Sequence, residues 1–256
     1  MKHLPRKRFG QNFLKDPSVL DKIIAAIAPA ASDIMVEIGP GMGAMTGKLL
    51  PSLSRLEVIE LDRDLVVYLR NTFPPEKLVV HQGDALAFDM RSLKEQSGEK
   101  IRIVGNLPYN ISTPLLFHLL EFSLFVKDQH FMLQREVVER MVAEPGSKAY
   151  GRLSVMLQWQ YDMDMLFIVP PEAFDPQPKV DSAVVRMIPK ENPEKCSFPA
   201  LEKTVTQAFS QRRKMLRNNL APFFTEAELT GLGIEPTKRP EELSVEQFIR
   251  LANHLK

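Results

Sequence analysis

The stretch Ile34-Met35-Val36-Glu37-Ile38-Gly39-Pro40-Gly41-Met42-Gly43 decides how this chain folds. Its first five residues form a short, mostly apolar run that reads as a buried strand. Gly39, Gly41 and Gly43 follow at alternate positions, and Thr46 to Leu50 continue as a helix. A strand that passes through a glycine-rich turn into a helix lets a ligand come close to the backbone, with helix N–H groups aimed at it.

Downstream of this unit, Leu56-Glu57-Val58-Ile59-Glu60, Leu78-Val79-Val80-His81, Ile101-Arg102-Ile103-Val104-Gly105 and Gln129-His130-Phe131-Met132-Leu133 read as further strands. Helical spacing separates several of them, as in Leu65, Val66 and Leu69, or Leu115, Leu116, Leu119 and Leu120. Upstream, Asp16-Pro17 is a helix start, with Asp as N-cap and Pro at the first helical position. Val19, Leu20, Ile23, Ile24 and Ile27 continue that helix, and Pro29 ends it. Strands alternating with helices to about residue 168 predict an α/β protein with a mostly parallel sheet and ligands at its C-terminal edge. Near Pro189 the pattern changes to helix only. Glu191-Asn192-Pro193-Glu194-Lys195 reads as a linker, and residues 198–256 as several short helices, one carrying Arg212, Arg213, Lys214 and Arg217. The expected division is therefore 1–189 and 190–256.

The glycine loop, Glu60, Asp84 and Asn106 each follow a predicted strand and so converge on the same edge. The glycine loop fits Glu-x-Gly-x-Gly-x-Gly, a pattern typical of S-adenosylmethionine binding, and equally the dinucleotide form G-x-G-x-x-G/A over Gly39 to Ala44. Glu60 ends the next strand, where an acid can accept hydrogen bonds from both ribose hydroxyls. Asp62 reads as the cap of the following helix. Asp84 follows the third strand, where it could accept a hydrogen bond from a cofactor's adenine amino group, although alone it is an ordinary loop Asp. Asn106-Leu107-Pro108-Tyr109-Asn110 follows the fourth. The Asn106 oxygen can accept a hydrogen bond from a planar exocyclic amine. The carbonyl of Leu107 or Pro108 can accept a second, and Tyr109 can stack on the base. By itself this segment is also an ordinary strand-to-helix turn, since Asn and Pro are common there. Further on, Phe174 sits among Pro170, Pro171, Pro176 and Pro178 on a stiff loop between two strands. It reads as a second aromatic platform for a base, or else as a loop anchor.

Composition narrows the function. No apolar run is long enough to cross a bilayer. The only cysteine is Cys196, so no intramolecular disulfide can form, which fits a reducing compartment. The five histidines are scattered, none at metal-ligand spacing to another His, Cys or carboxylate, and no metal is expected. Net charge is only +1, yet Lys2, Arg6, Lys7, Arg8 and Lys15 cluster at one end and Arg212, Arg213, Lys214 and Arg217 at the other. Two local basic patches on a near-neutral chain suggest contact with nucleic-acid phosphates at defined places.

Asn106-Leu107-Pro108-Tyr109 resembles the (Asn/Asp/Ser)-x-Pro-(Tyr/Phe) motif of amino-methyltransferases. Together with Arg8-Phe9-Gly10-Gln11-Asn12-Phe13-Leu14, Glu37 to Gly43 and Phe174 to Val185, it resembles the small-subunit ribosomal RNA adenine N6,N6-dimethyltransferases, the family linked to kasugamycin resistance. The resemblance covers nearly the whole chain, with no departure at a motif position.

That resemblance implies a Rossmann-like class I methyltransferase sheet with helices on both faces, plus a small C-terminal all-helical domain that contacts RNA. It implies S-adenosylmethionine as methyl donor and dimethylation of N6 on two adjacent adenosines near the 3′ end of small-subunit ribosomal RNA, during ribosome maturation. The family's cofactor residues fall here on Asn12, Leu14, Gly39, Gly41, Glu60, Asp84 and Asn106. The catalytic group falls on Asn106, Pro108 and Tyr109, with Phe174 on the opposite side of the base. Immature small ribosomal subunits are the expected partner, the cytoplasm the expected compartment and a monomer the expected state, with no membrane. The rivals are a large-subunit adenine methyltransferase of the macrolide-resistance type, which shares the catalytic motif, and a non-catalytic ribosome-assembly factor. A nicotinamide dehydrogenase satisfies the glycine loop but leaves Asn106 to Tyr109 unexplained.

Overall fold

A computed structural model describes residues 12–93 and 98–255. Nine strands are present among them: β1 (Phe13–Leu14), β2 (Ile34–Ile38), β3 (Leu56–Glu60), β4 (Leu78–Gln82), β5 (Ile101–Asn106), β6 (Val126–Gln134), β7 (Tyr161–Val169), β8 (Phe174–Asp175) and β9 (Ser182–Pro189). Seven form one sheet in the order β4-β3-β2-β5-β6-β9-β7. β2 to β6 pair in parallel, and β9 runs antiparallel to β6. The inner strands β2, β3 and β5 are buried almost end to end. That explains why they read as continuous apolar runs rather than alternating ones.

β2 has β3 on one side and β5 on the other, so the chain changes direction across the sheet between these two strands. In open α/β sheets this switch point is where a cleft forms beyond the strands' C-terminal ends. Glu37 pairs in register with Val104, so the loop after Ile38 and the residues after Gly105 end side by side. The fold thus brings the glycine loop and Asn106 together.

The helix Pro17–Ile27 starts as its sequence predicts, with Asp16 Oδ1 accepting from the N–H groups of Ser18 (2.8 Å) and Val19 (3.3 Å). It closes at Ala28, in a left-handed conformation (φ 48°), just before Pro29. Leu20, Ile23 and Ile27 pack with Met35, Leu49 and Leu56 in the main core. A basic side chain of β5 is also buried. Arg102 lies 2.6 Å from Asp33 and 2.9 Å from Asp128, and it donates to the carbonyl of Ile27 at 2.6 Å. A buried guanidinium is tolerated only with this degree of pairing.

The chain divides into two compact units, but not at a single boundary near residue 189. One unit is Met1–Val138 with Asp164–Pro189, and the other is Glu139–Met163 with Lys190–Lys256. Residues 139–163 are held in the second unit by side-chain and backbone bonds to distant sequence. Arg152 pairs with Glu202 (2.6 Å), Trp159 Nε1 donates to the Glu194 carbonyl (2.8 Å), and Arg212 donates to the Tyr150 carbonyl (2.9 Å). Such partners are invisible to a pattern read along the chain.

Within that unit the short helices are Arg152–Gln158, Phe198–Ala208, Leu216–Asn219, Glu226–Gly231 and Val245–Asn253. Arg212, Arg213 and Lys214 fall in the turn before Leu216–Asn219 instead of on a helix, and only Arg217 is helical. No helix among the described residues is long and apolar enough to cross a membrane.

Candidate active site

A cavity lies at the C-terminal ends of β2, β3 and β5. Its wall contains Gly39, Gly41, Glu60, Asp84, Asn106, Pro108 and Tyr109, singled out by their sequence pattern, and Asn12 and Leu14, which the family resemblance implied. These residues come from five separate segments, four of which the parallel sheet brings together.

The glycine loop forms one wall. Gly39 and Gly41 take positive φ angles of 65° and 58°, a region that side chains with a Cβ rarely adopt. A Cβ on Gly41 would also meet the Phe13 ring at 2.9 Å. The loop backbone orients the acid beside it. Gly41 N–H donates to Glu60 Oε2 (3.3 Å) and Asp62 N–H to Glu60 Oε1 (2.8 Å). Burial pushes the Glu60 carboxyl up, and those two N–H groups counter it. Asp62 accepts from the Asp64 N–H at 3.0 Å and caps the helix Arg63–Thr72. The two neighbouring acids therefore have separate roles, one toward the cavity and one toward the helix.

Asp84 stands at the exposed rim. Its Oδ1 accepts from the Leu86 N–H (2.9 Å), a local turn that holds the side chain in place.

The opposite wall is the segment after β5. The Leu107 N–H donates to the Met132 carbonyl (3.1 Å), continuing the pairing with β6 one residue past the strand. Pro108 then closes a turn, its carbonyl accepting from the Ile111 N–H at 3.2 Å. Asn106 Nδ2 donates to the backbone carbonyl of Asn12 at 2.9 Å. This turns the carboxamide so that Oδ1 is the acceptor it presents. Tyr109 Oη lies 2.7 Å from Ser182 Oγ, and the Tyr109 carbonyl accepts from Ser112 Oγ at 3.1 Å.

Asn12 and Leu14 belong to a strap that the sequence pattern did not predict as a strand. β1 pairs antiparallel with β8, Leu14 opposite Phe174 and Phe13 opposite Asp175. This pairing corrects the expectation for Phe174. Its ring is fully buried, packs in the main core and does not line the cavity. The prolines around it deliver the residue to a short strand, where the alternate side chain turns inward. In this structure Phe174 anchors its loop in the core.

Glu37 is a cavity residue that the reading of single positions passed over, although it opens the Glu-x-Gly-x-Gly-x-Gly pattern. It is buried, and Thr46 Oγ1 donates to its Oε2 at 2.5 Å. Burial raises its pKa from 4.5 to about 7, the Thr46 hydroxyl pulls the other way, and the nearby Glu60 charge adds to the rise.

Among the described residues no group of three or more His, Cys, Asp or Glu could hold a metal. Lys2, Arg6, Lys7, Arg8 and the rest of the motif as far as Gln11 lie outside the described residues. In the second unit, Arg213 and Lys214 are exposed, whereas Arg212 donates to the carbonyls of Lys148 and Tyr150 and Arg217 pairs with Glu226 at 3.5 Å.

Comparison with known proteins identifies the family. The profile of the ribosomal RNA adenine dimethylase family matches residues 2–256. The chain is 62% identical over 255 residues to the "Ribosomal RNA small subunit methyltransferase A" of Herminiimonas arsenicoxydans, covering the whole of both proteins. It is 59% identical over 255 residues to the protein of that name from Janthinobacterium sp. (strain Marseille), again over the whole of both. Among solved structures, a dimethyladenosine transferase from Plasmodium falciparum superposes with a TM-score of 0.79 and 29% identity, over 93% of this chain and 95% of that one. The 23S rRNA methyltransferase ErmE shares the fold, with a TM-score of 0.73 and 24% identity over 95% of this chain and 99% of that one.

Proposed function

Because the chain belongs to the ribosomal RNA adenine dimethylase family, we propose that the cavity between the glycine loop and Asn106 is where it methylates adenine N6. The chain has the class I methyltransferase fold and is an S-adenosylmethionine-dependent enzyme that dimethylates adenine in small-subunit ribosomal RNA. The finer reading is that its targets are two adjacent adenosines near the 3′ end, modified while the subunit matures.

The residues present fit the methyl donor. Glu60 offers a buried carboxylate suited to a ribose diol. Asp84 offers an acceptor for an adenine amino group at the rim. The glycine loop leaves the backbone open at Gly39, where a Cβ would meet nothing within 4 Å. The carboxylates of Glu60 and Asp84 give the cavity the sign that suits a cationic ligand. When bound, S-adenosylmethionine supplies a methyl group made electrophilic by its sulfonium.

The chain's own contribution is positional. Adenine N6 is a poor nucleophile because its lone pair is delocalised into the ring. Asn106 Oδ1 accepts one N6–H, and the Leu107 carbonyl accepts the other, since the Pro108 carbonyl already closes its turn with Ile111. Two acceptors on the amine favour a more tetrahedral nitrogen and aim its lone pair, an effect of orientation rather than of base strength. The carboxamide takes no proton in this role. Tyr109 stacks on a base withdrawn from its neighbours. Exposed Arg213 and Lys214, with Lys15 and the basic residues before it, hold RNA through its phosphates. The enzyme works as a monomer in the cytoplasm, away from membranes.

One observation carries this reading: the Asn106 carboxamide shares a cavity with Glu60 and the glycine loop, and its amide hydrogen is committed to Asn12. The test is transfer of labelled methyl from S-adenosylmethionine to small subunits lacking the modification, with large-subunit RNA and duplex DNA alongside. N6,N6-dimethyladenosine in the small-subunit RNA alone is the expected product. Label confined to large-subunit RNA would overturn the substrate assignment, and donor binding without any transfer would overturn catalysis.

A further inference from the structure

β9 begins Ser182-Ala183-Val184-Val185 and sits inside the sheet, between β6 and β7. Its first four residues are buried, and a hydroxyl is out of place in such a run. A buried hydroxyl without a partner is costly, so its partner is informative. That partner is Tyr109, whose Oη lies 2.7 Å away. From the proposed activity and this contact, we infer that Ser182 is a positioning residue for methyl transfer, holding the Tyr109 ring at the angle on which the target base stacks.

Three observations support it. First, Ser182 is itself immobilised. It pairs with Gln134 in the β6–β9 register, and next to it the Arg135 N–H donates to the Asp181 carbonyl at 2.9 Å. Second, Tyr109 is held at its other end as well, its carbonyl accepting from Ser112 Oγ at 3.1 Å. A tyrosine has two side-chain torsions, and anchoring backbone and hydroxyl together leaves the ring little freedom to swing. Third, the bond does not fill a gap in the core, because Tyr109 is only partly buried and lines the cavity with Asn106. An aromatic platform fixed before the base arrives avoids an ordering cost at binding. Ser182 also links strands: β9 lies beside β6, which lies beside β5, and Asn106 pairs with Met132 in that register. The base-stacking ring is thus referred to the same sheet that carries the amine acceptor.

The experiment combines kinetics with a direct view of the ring. Ser182→Ala and Tyr109→Phe break the same contact from opposite ends, the second without touching a buried strand residue. Each is expected to lower kcat/KM for undermodified small subunits about three- to tenfold, the size of one net hydrogen bond. The double variant is expected to be no worse than the poorer single one, because only one interaction is lost. Affinity for S-adenosylmethionine is expected to stay at the wild-type level in Ser182→Ala. In protein carrying ring-labelled tyrosine, the Tyr109 resonances of Ser182→Ala are expected to show faster ring flipping. Losses that multiply in the double variant, or a parallel loss of donor affinity, overturn the inference. So do Tyr109 ring signals identical to wild type, a readout that needs no turnover. A wild-type chain that binds donor yet methylates no subunit overturns the functional reading instead, and the ring signals still decide the Tyr109–Ser182 question.

Discussion

The amide nitrogen of Asn106 donates to the carbonyl oxygen of Asn12 across 2.9 Å, joining the end of an inner strand to a strap ninety-four positions away in sequence. This bond fixes which end of the carboxamide faces the cavity. It also ties the Asn12 strap to the segment after β5, on the wall of one cavity.

Asn106→Ala should reduce methyl transfer to small subunits by at least about 100-fold, the scale on which lost orientation costs rate. The affinity for S-adenosylmethionine should fall far less, since Glu60 and the glycine loop remain. Single-turnover rates beside calorimetric donor binding check this, and equal losses of both would remove Asn106 from the chemistry.

Glu37 should make the free chain less stable as pH rises. Its folded pKa of about 7 lies above its ordinary 4.5, so the folded state holds a proton that the unfolded chain has released. The associated stability is fully present below 4.5 and is lost as pH climbs through 7. Glu37→Gln keeps the Thr46 hydrogen bond but cannot ionise. Urea unfolding at pH 5 and pH 8 should therefore show wild type losing ground to the variant by on the order of a few kcal/mol. A pH-independent difference would refute the assignment.

Arg102→Ala should destabilise the first unit by about 3–5 kcal/mol, because it removes the guanidinium shared by the largely buried Asp33 and Asp128 carboxylates and leaves Asp33 only Lys127 at 3.3 Å and the Ala30 N–H. The effect belongs to folding. Protein that remains native at low temperature should bind S-adenosylmethionine as wild type does. Denaturant midpoints and calorimetry separate the two.

Phe174 offers a direct choice between core and platform. Its ring is fully buried, so Phe174→Ala should cost about 3–5 kcal/mol. Phe174→Leu keeps most of the volume and should retain methyl transfer within a few-fold at temperatures where the protein is folded. A loss of turnover in folded Phe174→Leu as large as that of Tyr109→Ala would restore the stacking role.

Protonation of His130 should be suppressed throughout the neutral range. Its ring is buried on β6, which lowers its pKa from 6.5 to about 4 despite the attraction of Asp128, and the Arg102 and Arg186 charges lower it further. Because the folded pKa lies below the unfolded one, its contribution to stability is present above 6.5 and lost as pH falls toward 4. Imidazole NMR titration should find it uncharged at pH 6.

Local chemistry was enough to read much of this protein. The runs at β2, β3 and β5 are unbroken because parallel strands with both faces covered must be apolar along their length. The Asp16-Pro17 cap was legible because capping involves neighbours two and three residues apart. Glu60, Asp84 and Asn106 were legible as one site because each follows a strand, and parallel strands end on one edge. What stayed hidden depends on pairs distant in sequence. The β1–β8 strap, the inward turn of Phe174, the Tyr109–Ser182 contact and the transfer of residues 139–163 to the helical unit are all of this kind. Periodicity reports which face of an element is apolar, and motif spacing reports what a loop can hold. Neither reports which distant segment covers that face. In this chain the chemistry was written in the strand ends, and the orientation of its groups came from tertiary pairing. A carboxamide or phenol is aimed by whatever bonds its far end, and that partner is set only when the chain has packed.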